Sequence, residues 1–328
     1  DSNRMDCPHS HQNVRGNGKP ATYLLEFGGG IPKNPEARTI GYHLTSLCSP
    51  WVELRDLVEE WVDANHKKDK KGLQEFINLK LGEPWHEDEA DLNLWEKLAQ
   101  RREFYPEAGL PKEILMLTCG VDVQQNRLEA TVFGWGADFE SWGVCHRVFF
   151  GDTKQNEVWS QLDVLLIENF HLQDGRELRI ACTLVDSGDG SMTDTVYQYT
   201  KAREKSRVFS SKGSSVSNKD LIGPPSQNNR YRAFLFVVGV DAGKRLLFNR
   251  LKVNDFGPAY VHYPMARDSG FTEEYFKQLT AEVFERKFEK GRVKEGWKKL
   301  RERNEALDCA VYATAAIEIV RPAFNQLC

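Results

Sequence analysis

The segment Ile114-Leu-Met-Leu-Thr-Cys-Gly-Val-Asp122 opens the part of the chain that decides the fold. It is an apolar run of strand length that ends on an aspartate, and Leu178-Arg-Ile-Ala-Cys-Thr-Leu-Val-Asp186 repeats this pattern. Both runs predict buried strands that carry a carboxylate to their exit. A further acidic pair, Glu305 and Asp308, lies far downstream in a helical pattern rich in small apolar residues.

Three strand-like runs follow one another closely at 114–123, 127–136 and 141–150. Because short polar turns separate them, they predict an antiparallel meander. The later patterns predict helices at 155–170, 192–205, 241–251, 272–288 and 304–319, and strands at 178–185, 207–210, 234–239 and 259–262. A helix between the third and fourth strands is the crossover that parallel pairing requires. This order predicts an α/β fold with a ribonuclease H-like mixed sheet flanked by helices.

The region before the sheet has a different composition. Residues 1–40 are rich in Gly, Pro and Asn and predict a poorly ordered arm. Residues 41–110 carry three amphipathic patterns, starting near Ser49, Leu73 and Asp91, and predict a helical linker. The domain prediction is therefore an arm (1–40), a linker (41–110) and a sheet domain (111–328).

Composition limits the possible environments and partners. The net charge of -4 gives no overall attraction to nucleic acid, so DNA binding would need a local basic cluster. The seven cysteines include no CxxC pair and indicate a reducing compartment. We find no signal peptide and no apolar run near the ~18 residues of a membrane span, which predicts a cytoplasmic protein. Cys7, His9 and His11 are too closely spaced to be more than a weak zinc signal.

The acidic residues predict a metal site. If the two strands that carry them are parallel neighbours, Asp122 and Asp186 meet at one end of the sheet. Glu305 and Asp308 are three residues apart and share a helix face. Carboxylates gathered in this way repel one another unless a cation lies between them. Asp122, Asp186 and Asp308 are thus predicted ligands of Mg²⁺ or Mn²⁺, which in a two-metal site hydrolyse phosphodiesters.

Simpler explanations exist for the same acids. Each strand-end aspartate could do no more than cap a turn. Glu305 and Asp308 could occupy the first helical turn because the helix dipole favours negative charge there. That second explanation accounts for Glu305 better than for Asp308, which Leu307 and Cys309 flank.

Basic residues supply candidate phosphate contacts. Five of them precede the final helix: Lys294, Lys298, Lys299, Arg301 and Arg303. We predict that Lys298, Lys299, Arg301 and Arg303 bind DNA, although a solvated charged face is the ordinary alternative. Lys212 could bring a cation to the scissile phosphate, or be a surface lysine. Gly239-Val-Asp-Ala-Gly-Lys244 lacks one spacer residue of a phosphate loop, and Arg245 stands where that motif has Ser or Thr.

Several ordered motifs resemble one family. They are Gly120-Val-Asp-Val-Gln124, Arg127-Leu-Glu129, Gly134-Trp-Gly136, Asp186-Ser-Gly188, Lys212-Gly213-Ser214, Val261-His-Tyr-Pro264, Leu279-Thr-Ala-Glu282 and Arg303-Asn-Glu-Ala-Leu-Asp-Cys309. Upstream, Gly41-Tyr-His-Leu-Thr-Ser-Leu47 and Leu81-Gly-Glu-Pro-Trp85 resemble the segment that joins an ATPase to a nuclease in that family. From about residue 41 to 319, the chain resembles the lambda-type (GpA family) large terminase subunit of tailed bacteriophages.

The resemblance implies the nuclease half of such a subunit, without the ATPase. It implies a metal-dependent endonuclease in the host cytoplasm that cuts concatemeric double-stranded viral DNA for packaging. The expected partners are viral DNA, the small terminase subunit and the portal or procapsid. By position, Asp122, Asp186 and Asp308 match the acidic nuclease motifs of the family. Glu305 and Lys212 match positions that we include among the catalytic candidates with less defined roles.

Other functions remain open at this point. The chain could be a non-catalytic module that docks on portal, small subunit or DNA through the helices of 49–102. It could instead be a ribonuclease H-like recombinase or junction resolvase. A glycosidase is a weaker alternative, because two carboxylates would suffice and the basic run would have no role.

Overall fold

The computed structural model of the chain describes most of the residues from 45 onward. The described residues are 15–16, 19–20, 45–49, 51–67, 69–83, 93–105, 109–214, 216, 219–227, 230–289, 292–322 and 324. Cys7, His9 and His11 lie outside them, as does most of the predicted arm. The chain divides into two compact units, one of residues 1–65 and 69–87 and one of residues 66–68 and 88–328.

The first unit contains two of the predicted linker helices. They are α1 (Leu54–His66) and α2 (Lys70–Glu75), and α2 continues as a π-helical stretch over Phe76–Leu81. That stretch ends at Gly82, whose φ of 69° is favoured by glycine. Leu57 and Ala64 of α1 are buried. Large apolar side chains are nevertheless exposed at Trp51, Leu54, Val58 and Trp61.

The second unit begins with α3 (Leu94–Gln100), inside the third predicted linker helix. Leu94 and Leu98 are buried in the core that covers one face of the sheet. The last helix of the predicted linker therefore packs with the sheet. The assignment of an arm, a linker and a nuclease domain to 1–40, 41–110 and 111–328 remains a prediction.

One eight-stranded mixed sheet forms the centre of the second unit. Its strands are β1 (Met116–Gln124), β2 (Arg127–Trp135), β3 (Ser141–Phe150), β4 (Ile180–Asp186), β5 (Val208–Ser214), β6 (Ser226–Gln227), β7 (Phe234–Gly239) and β8 (Val261–His262). Their order across the sheet is β6-β7-β5-β4-β1-β2-β3-β8. β1, β2 and β3 form the antiparallel meander, whereas β4 is parallel to β1 and β5 is parallel to β4. This order confirms the predicted ribonuclease H-like α/β fold.

Helices cover both faces of this sheet. They are α4 (Asn156–Leu166), α5 (Thr193–Lys201), α6 (Val240–Leu251), α7 (Glu273–Leu279) and α8 (Glu305–Val320). Side chains of α4 and α5 form one core with Leu117, Cys119 and Val121 of β1. The other core contains side chains of α3, α6, α7 and α8 together with Cys182 and Leu184 of β4. Because side chains alternate along a strand, residues 118, 120 and 122 of β1 face α8.

The predicted helix 272–288 is wrong in its second half. The helix α7 ends at Leu279, and a hairpin of β9 (Glu282–Glu289) and β10 (Arg292–Lys299) follows. Phe284 and Phe288 are four residues apart, a spacing that fits one face of a helix and one face of a strand equally well. Pairing with β10, which is not visible in the local pattern, decides between them.

Two smaller differences occur around α4. The predicted helix 155–170 ends at Leu166, and a short hairpin pairs Phe170–His171 with Glu177–Leu178.

None of the described helices is long and apolar enough to cross a bilayer. Four cysteines, Cys119, Cys145, Cys182 and Cys309, are buried free thiols.

Candidate active site

Asp122 lies near the end of β1, below the helix α8. Its exposed fraction is 4%, and Gln124 Nε2 donates a hydrogen bond of 2.7 Å to Oδ2. Gly120, two residues earlier on the same face, lets the helix come this close. A Cβ atom at Gly120 would lie 2.0 Å from the carbonyl oxygen of Cys309. The glycine therefore brings the backbone beside Asp308 next to the strand that carries Asp122.

Asp186 is the last residue of β4, the parallel neighbour of β1. Its Oδ1 accepts hydrogen bonds from the Tyr312 hydroxyl of α8 at 2.9 Å and from the Gly188 amide at 3.1 Å. The side chain thus faces α8, as that of Asp122 does. The structure brings the two strand-end aspartates to the same face and the same end of the sheet, as the sequence predicts.

Asp308 enters this region from the first turns of α8. Asn304 Nδ2 donates a hydrogen bond of 3.0 Å to its Oδ2. The same amide nitrogen lies 3.2 Å from Oε1 of Glu282, and Glu282 forms a 2.7 Å ion pair with Lys244. Asn304 therefore links Asp308 to a buried pair contributed by α6 and β9.

The three aspartates are close enough to influence one another's ionisation. Burial, together with the nearby charges of Asp308, Asp186 and Glu305, raises the pKa of Asp122 to about 8 against the opposing Gln124 hydrogen bond. Burial also raises the pKa of Asp308 to about 7, with Glu282 and Asp186 adding to it and Lys244 opposing it. The pKa of Asp186 is raised mainly by burial. A positive charge between these groups would relieve this cost.

The hydrogen-bond donors to the three aspartates are all uncharged. They are the amides of Gln124 and Asn304, the Tyr312 hydroxyl and the Gly188 backbone amide. In the described part of the chain, no three His, Cys, Asp or Glu side chains are arranged as a ready-made metal site. An all-oxygen set without a lysine or arginine partner nevertheless has the donor chemistry that Mg²⁺ and Mn²⁺ prefer.

Glu305 has a different environment from the aspartates. Its Oε1 accepts a 2.5 Å bond from Arg127 Nη2, and its Oε2 lies 3.3 Å from Arg303 Nε. Arginine charges thus already balance this carboxylate. The structure places Glu305 one turn before Asp308 but gives it direct ion pairs with two arginines, which Asp308 lacks.

Glu129 is a site residue that the sequence reasoning missed. It is fully buried on β2 and pairs across the strands with Asp122. Burial alone would raise the pKa of Glu129, but His146, Arg127 and Arg303 lower it to about 2. The Arg127-Leu-Glu129 alternation, with both charges on one face of a predicted strand, is the signal that could have identified it.

Lys212 is separated from the carboxylates by the sheet. On β5, Val208 belongs to the core shared with α4 and α5, and the Ser210 hydroxyl contacts Thr200 of α5. Alternation places Lys212 on that same face, whereas Asp186 faces α8. The structure does not bring this predicted residue together with Asp122, Asp186 and Asp308.

The predicted DNA-binding residues lie on β10 and on the connection to α8. Lys298 pairs with Glu285 at 3.0 Å, and Lys299 Nζ donates to Asn304 Oδ1 at 2.9 Å. Arg301 donates to the backbone carbonyls of Lys277 and Thr280. Lys298 and Lys299 are exposed, and the charge of Lys299 lowers the pKa of Asp308. The structure therefore places Lys299 beside the acidic site, while Arg301 anchors the connection.

Lys244 belongs to the edge of the site rather than to a nucleotide loop. It is buried on α6 and forms its ion pair with Glu282. The segment 239–244 that partly resembles a phosphate loop thus ends on a lysine whose charge is already paired.

Sequence comparison matches residues 39–326 to the family described as "Terminase large subunit gpA, endonuclease domain". The chain belongs to this family. The match confirms the resemblance to lambda-type terminases and assigns the chain to an endonuclease-domain family. It covers all the elements of the second unit and both helices of the first.

Two curated relatives of the family are large terminase subunits of phages. The chain is 33% identical over 301 residues to "Terminase, large subunit" of Enterobacteria phage P21, covering 90% of this chain and 46% of the relative. It is 32% identical over 285 residues to the protein of the same name from Escherichia phage lambda, covering 86% and 44%. The chain therefore spans less than half the length of these relatives.

Solved structures give a more distant likeness. The nuclease domain of the large terminase subunit gp2 of bacterial virus Sf6 aligns with a TM-score of 0.37 and 17% identity, covering 67% of this chain and 95% of that one. A K428A mutant of that domain, with manganese and beta-thujaplicinol, aligns with a TM-score of 0.36 and 14% identity over the same shares.

Proposed function

We propose that this member of the gpA endonuclease-domain family is a metal-dependent endodeoxyribonuclease that hydrolyses phosphodiesters of double-stranded viral DNA. One observation carries the proposal. Asp122, Asp186 and Asp308 come from three separate elements and converge without an ion pair to a lysine or arginine among the described residues, although the charges of Lys244 and Lys299 influence Asp308. Such a set has an unfavourable charge unless it serves to bind cations.

Asp122, Asp186 and Asp308 would hold Mg²⁺ or Mn²⁺. Bound divalent ions supply electrophilic activation of the phosphodiester and stabilise the leaving oxygen, in a one-ion or two-ion arrangement. The residues around the acids orient them, since Gln124, Tyr312 and Asn304 each fix one carboxylate by a hydrogen bond.

Exposed lysines beside the acids fit a DNA backbone. Lys298 and Lys299 lie at the end of β10, next to the connection that leads into α8. Phosphate contacts of this kind position a duplex without reading its sequence. We include both lysines in the proposed DNA-binding surface, together with the half-exposed Arg303, and give Lys212 no role.

The wider role follows from the relatives. Because they are named large terminase subunits, we propose that this chain cuts concatemeric DNA during packaging in the host cytoplasm. The small terminase subunit and the portal or procapsid would be its partners. Failure of the full-length subunit to co-purify with either partner, or to cut concatemers in an infected cell, would contradict this assignment.

The decisive experiment is cleavage of plasmid DNA by the purified chain with Mn²⁺, with Mg²⁺ or with EDTA. Asp122→Asn and Asp308→Asn should each lower the cleavage rate by about 100-fold or more, because losing a ligand costs at least as much as losing a supporting contact. Asp138→Asn is a matched control. Asp138 is exposed in the turn between β2 and β3, at the opposite end of the sheet, and its φ of 50° suits Asn.

Two outcomes would contradict the proposal. Cleavage that persists in EDTA would exclude a metal-dependent reaction. Cleavage that persists in both aspartate variants would exclude this site. Four-way junctions cut in preference to linear duplex would favour the resolvase alternative, and DNA binding without cutting under any metal would favour the docking module.

A further inference from the structure

Two glutamates beside the three aspartates are held by arginines. Glu129 lies on β2 directly opposite Asp122, and Glu305 lies in the first turn of α8. Arg127 contacts both of them. Its Nε donates to Glu129 Oε1 at 2.6 Å, and its Nη2 donates to Glu305 Oε1 at 2.5 Å. One guanidinium thus connects residues that are distant in sequence.

Arg303 makes the same connection a second time. Its Nη2 donates to Glu129 Oε1 at 2.7 Å, and its Nε donates to Glu305 Oε2 at 3.3 Å. We call the four residues Arg127, Glu129, Arg303 and Glu305 the arginine clamp. It contains two positive and two negative side chains, so it is neutral as a unit and joins β2 to the start of α8.

The clamp is shielded from solvent on its strand side. The exposed fraction is 0% for the Glu129 side chain, 11% for Glu305 and 16% for Arg127, compared with 46% for Arg303. His146 Nε2 lies 3.6 Å from the second oxygen of Glu129, so this oxygen also faces a titratable group. Buried ion pairs of this kind contribute little net stability, and their best-attested use is to specify one arrangement.

Other contacts hold the rest of α8. Its middle is attached to β1, because Thr118 Oγ1 donates to the Ala313 carbonyl at 2.8 Å and Gly120 packs under Cys309. Near its start, Ala306 N lies 3.4 Å from Gln278 Oε1, and Asn304 contacts Glu282. These last contacts lead to α7 and β9. The clamp links the first turn of α8 to β2, where the Cys309 thiol, one residue after Asp308, also donates to the Glu129 carbonyl at 3.1 Å.

We propose that the arginine clamp is a positioning device that sets the placement of Asp308 relative to Asp122 for metal binding. Arg127 acts through Glu305, and no residue of the clamp touches the ion. This inference rests on the proposed function, because it concerns the same three aspartates. It gives Glu305 a supporting part rather than that of a direct ligand.

The test is the Mn²⁺ dissociation constant of the intact chain, measured by isothermal titration calorimetry. Arg127→Met should weaken Mn²⁺ binding by about 10-fold or more, the usual effect of losing a group that orients a metal ligand. Simple electrostatics alone predicts tighter Mn²⁺ binding instead, because removing the positive charge of Arg127 near three carboxylates would favour the metal ion. If Glu305 were itself a ligand, releasing it from Arg127 would also tighten binding.

Arg203→Met is the matched control. Arg203 is a partly buried arginine just after α5, with a 2.6 Å ion pair to Asp163 of α4 on the other face of the sheet. Its loss should change thermal stability without changing Mn²⁺ affinity. If Arg127→Met does not fold, as judged by circular dichroism, Arg303→Met breaks the same clamp from its more exposed side and should weaken binding in the same direction.

The outcomes separate the two proposals. If the wild-type chain binds Mn²⁺ and cuts DNA, but the folded Arg127 or Arg303 variant binds Mn²⁺ as tightly or more tightly, the clamp proposal is overturned and the nuclease proposal stands. If the wild-type chain neither binds Mn²⁺ nor cuts DNA, both are overturned. Weaker binding in both variants, with Arg203→Met unchanged, supports the clamp.

Discussion

At the scale of the residue, Gly120 decides how closely α8 approaches the sheet. An added Cβ would lie 2.0 Å from the Cys309 carbonyl oxygen and 2.6 Å from the Ala313 amide nitrogen. Both are backbone atoms of a packed helix, so no side chain can rotate away. The helix itself would have to move.

We therefore expect Gly120→Ala to lower the free energy of unfolding by about 3 kcal/mol, as overpacking of a core does, and to reduce DNA cleavage. Urea denaturation measures the first effect and the plasmid assay the second. Gly223→Ala is the control, since a Cβ there meets nothing within 4 Å. Equal stability of the Gly120 and Gly223 variants would contradict this account of the close approach.

The sequence was sufficient to nominate Asp122, Asp186 and Asp308, and the structure brings them together. An aspartate that ends an apolar run is visible locally, and the order of elements predicts where the run lies in the sheet. The pairing of Glu305 with Arg127 was not visible, because the two residues are 178 positions apart along the chain. The sequence also did not show which face of the sheet Lys212 occupies, because a shift of one residue in strand register moves a side chain to the opposite face.

At the scale of the element, α3, which lies inside the predicted linker, packs in the core that covers one face of the sheet. Leu98 is fully buried and Leu94 nearly so. Just after the helix, Arg101 donates hydrogen bonds to the carbonyl groups of Leu251, Val253 and Val261 at 2.9 to 3.1 Å. These contacts attach the end of α3 to the end of α6 and to β8.

Two fragments test where the nuclease unit starts. A fragment of residues 88–328 should unfold cooperatively, whereas a fragment of residues 111–328 should be less stable by about 4 kcal/mol or more, because it loses two buried leucines. Urea denaturation followed by circular dichroism compares them. Equal stability of the two fragments would support the predicted start of the nuclease domain at residue 111.

The hairpin β9–β10 shows why some elements escape sequence reasoning. Glu, Arg and Lys, which are frequent in 282–289, favour helices, and the spacing of the phenylalanines fits a helix as well as a strand. The antiparallel register, which runs from Glu282 opposite Lys299 to Glu289 opposite Arg292, overrides that local preference. The meander of β1, β2 and β3 was predictable because its turns are short and its largely apolar runs have the length of strands.

At the scale of the whole molecule, His262 joins three parts of the second unit. Its Nδ1 lies 2.5 Å from Glu103, in the chain after α3, and its Nε2 lies 2.8 Å from Glu140, in the turn before β3. The ring stacks on Trp142 at a centroid distance of 4.9 Å, and Tyr260, which faces Arg101, meets its edge. Burial lowers the pKa of His262, but the two glutamates outweigh burial and raise it.

This raised pKa makes stability depend on pH. The charged imidazole contributes fully below the ordinary histidine pKa of about 6.5, and its contribution is lost as pH rises through the raised folded-state pKa. The stability difference between wild type and His262→Gln should therefore shrink between pH 6 and pH 9, by about 1.4 kcal/mol for each unit by which the pKa is raised.

Urea denaturation across that range measures the difference. His171→Gln is the control, because His171 pairs with Glu177 at 3.3 Å but its side chain is 68% exposed. Exposed pairs contribute little, so this variant should remain close to wild type in stability. A difference for His262→Gln that stays flat or grows with pH would contradict the assigned role.

Four buried cysteines, Cys119, Cys145, Cys182 and Cys309, allow local opening of the native structure to be measured by thiol modification. Burial raises the pKa of Cys145 and of Cys182 to about 12 and holds those of Cys119 and Cys309 well above the ordinary range, so thiolates at these four positions are scarce in the native state. An alkylating reagent can therefore react with these thiols only after the surrounding structure has opened. Since Cys309 directly follows Asp308, the rate at which its thiol is modified reports how often the helix that carries this acid leaves the sheet.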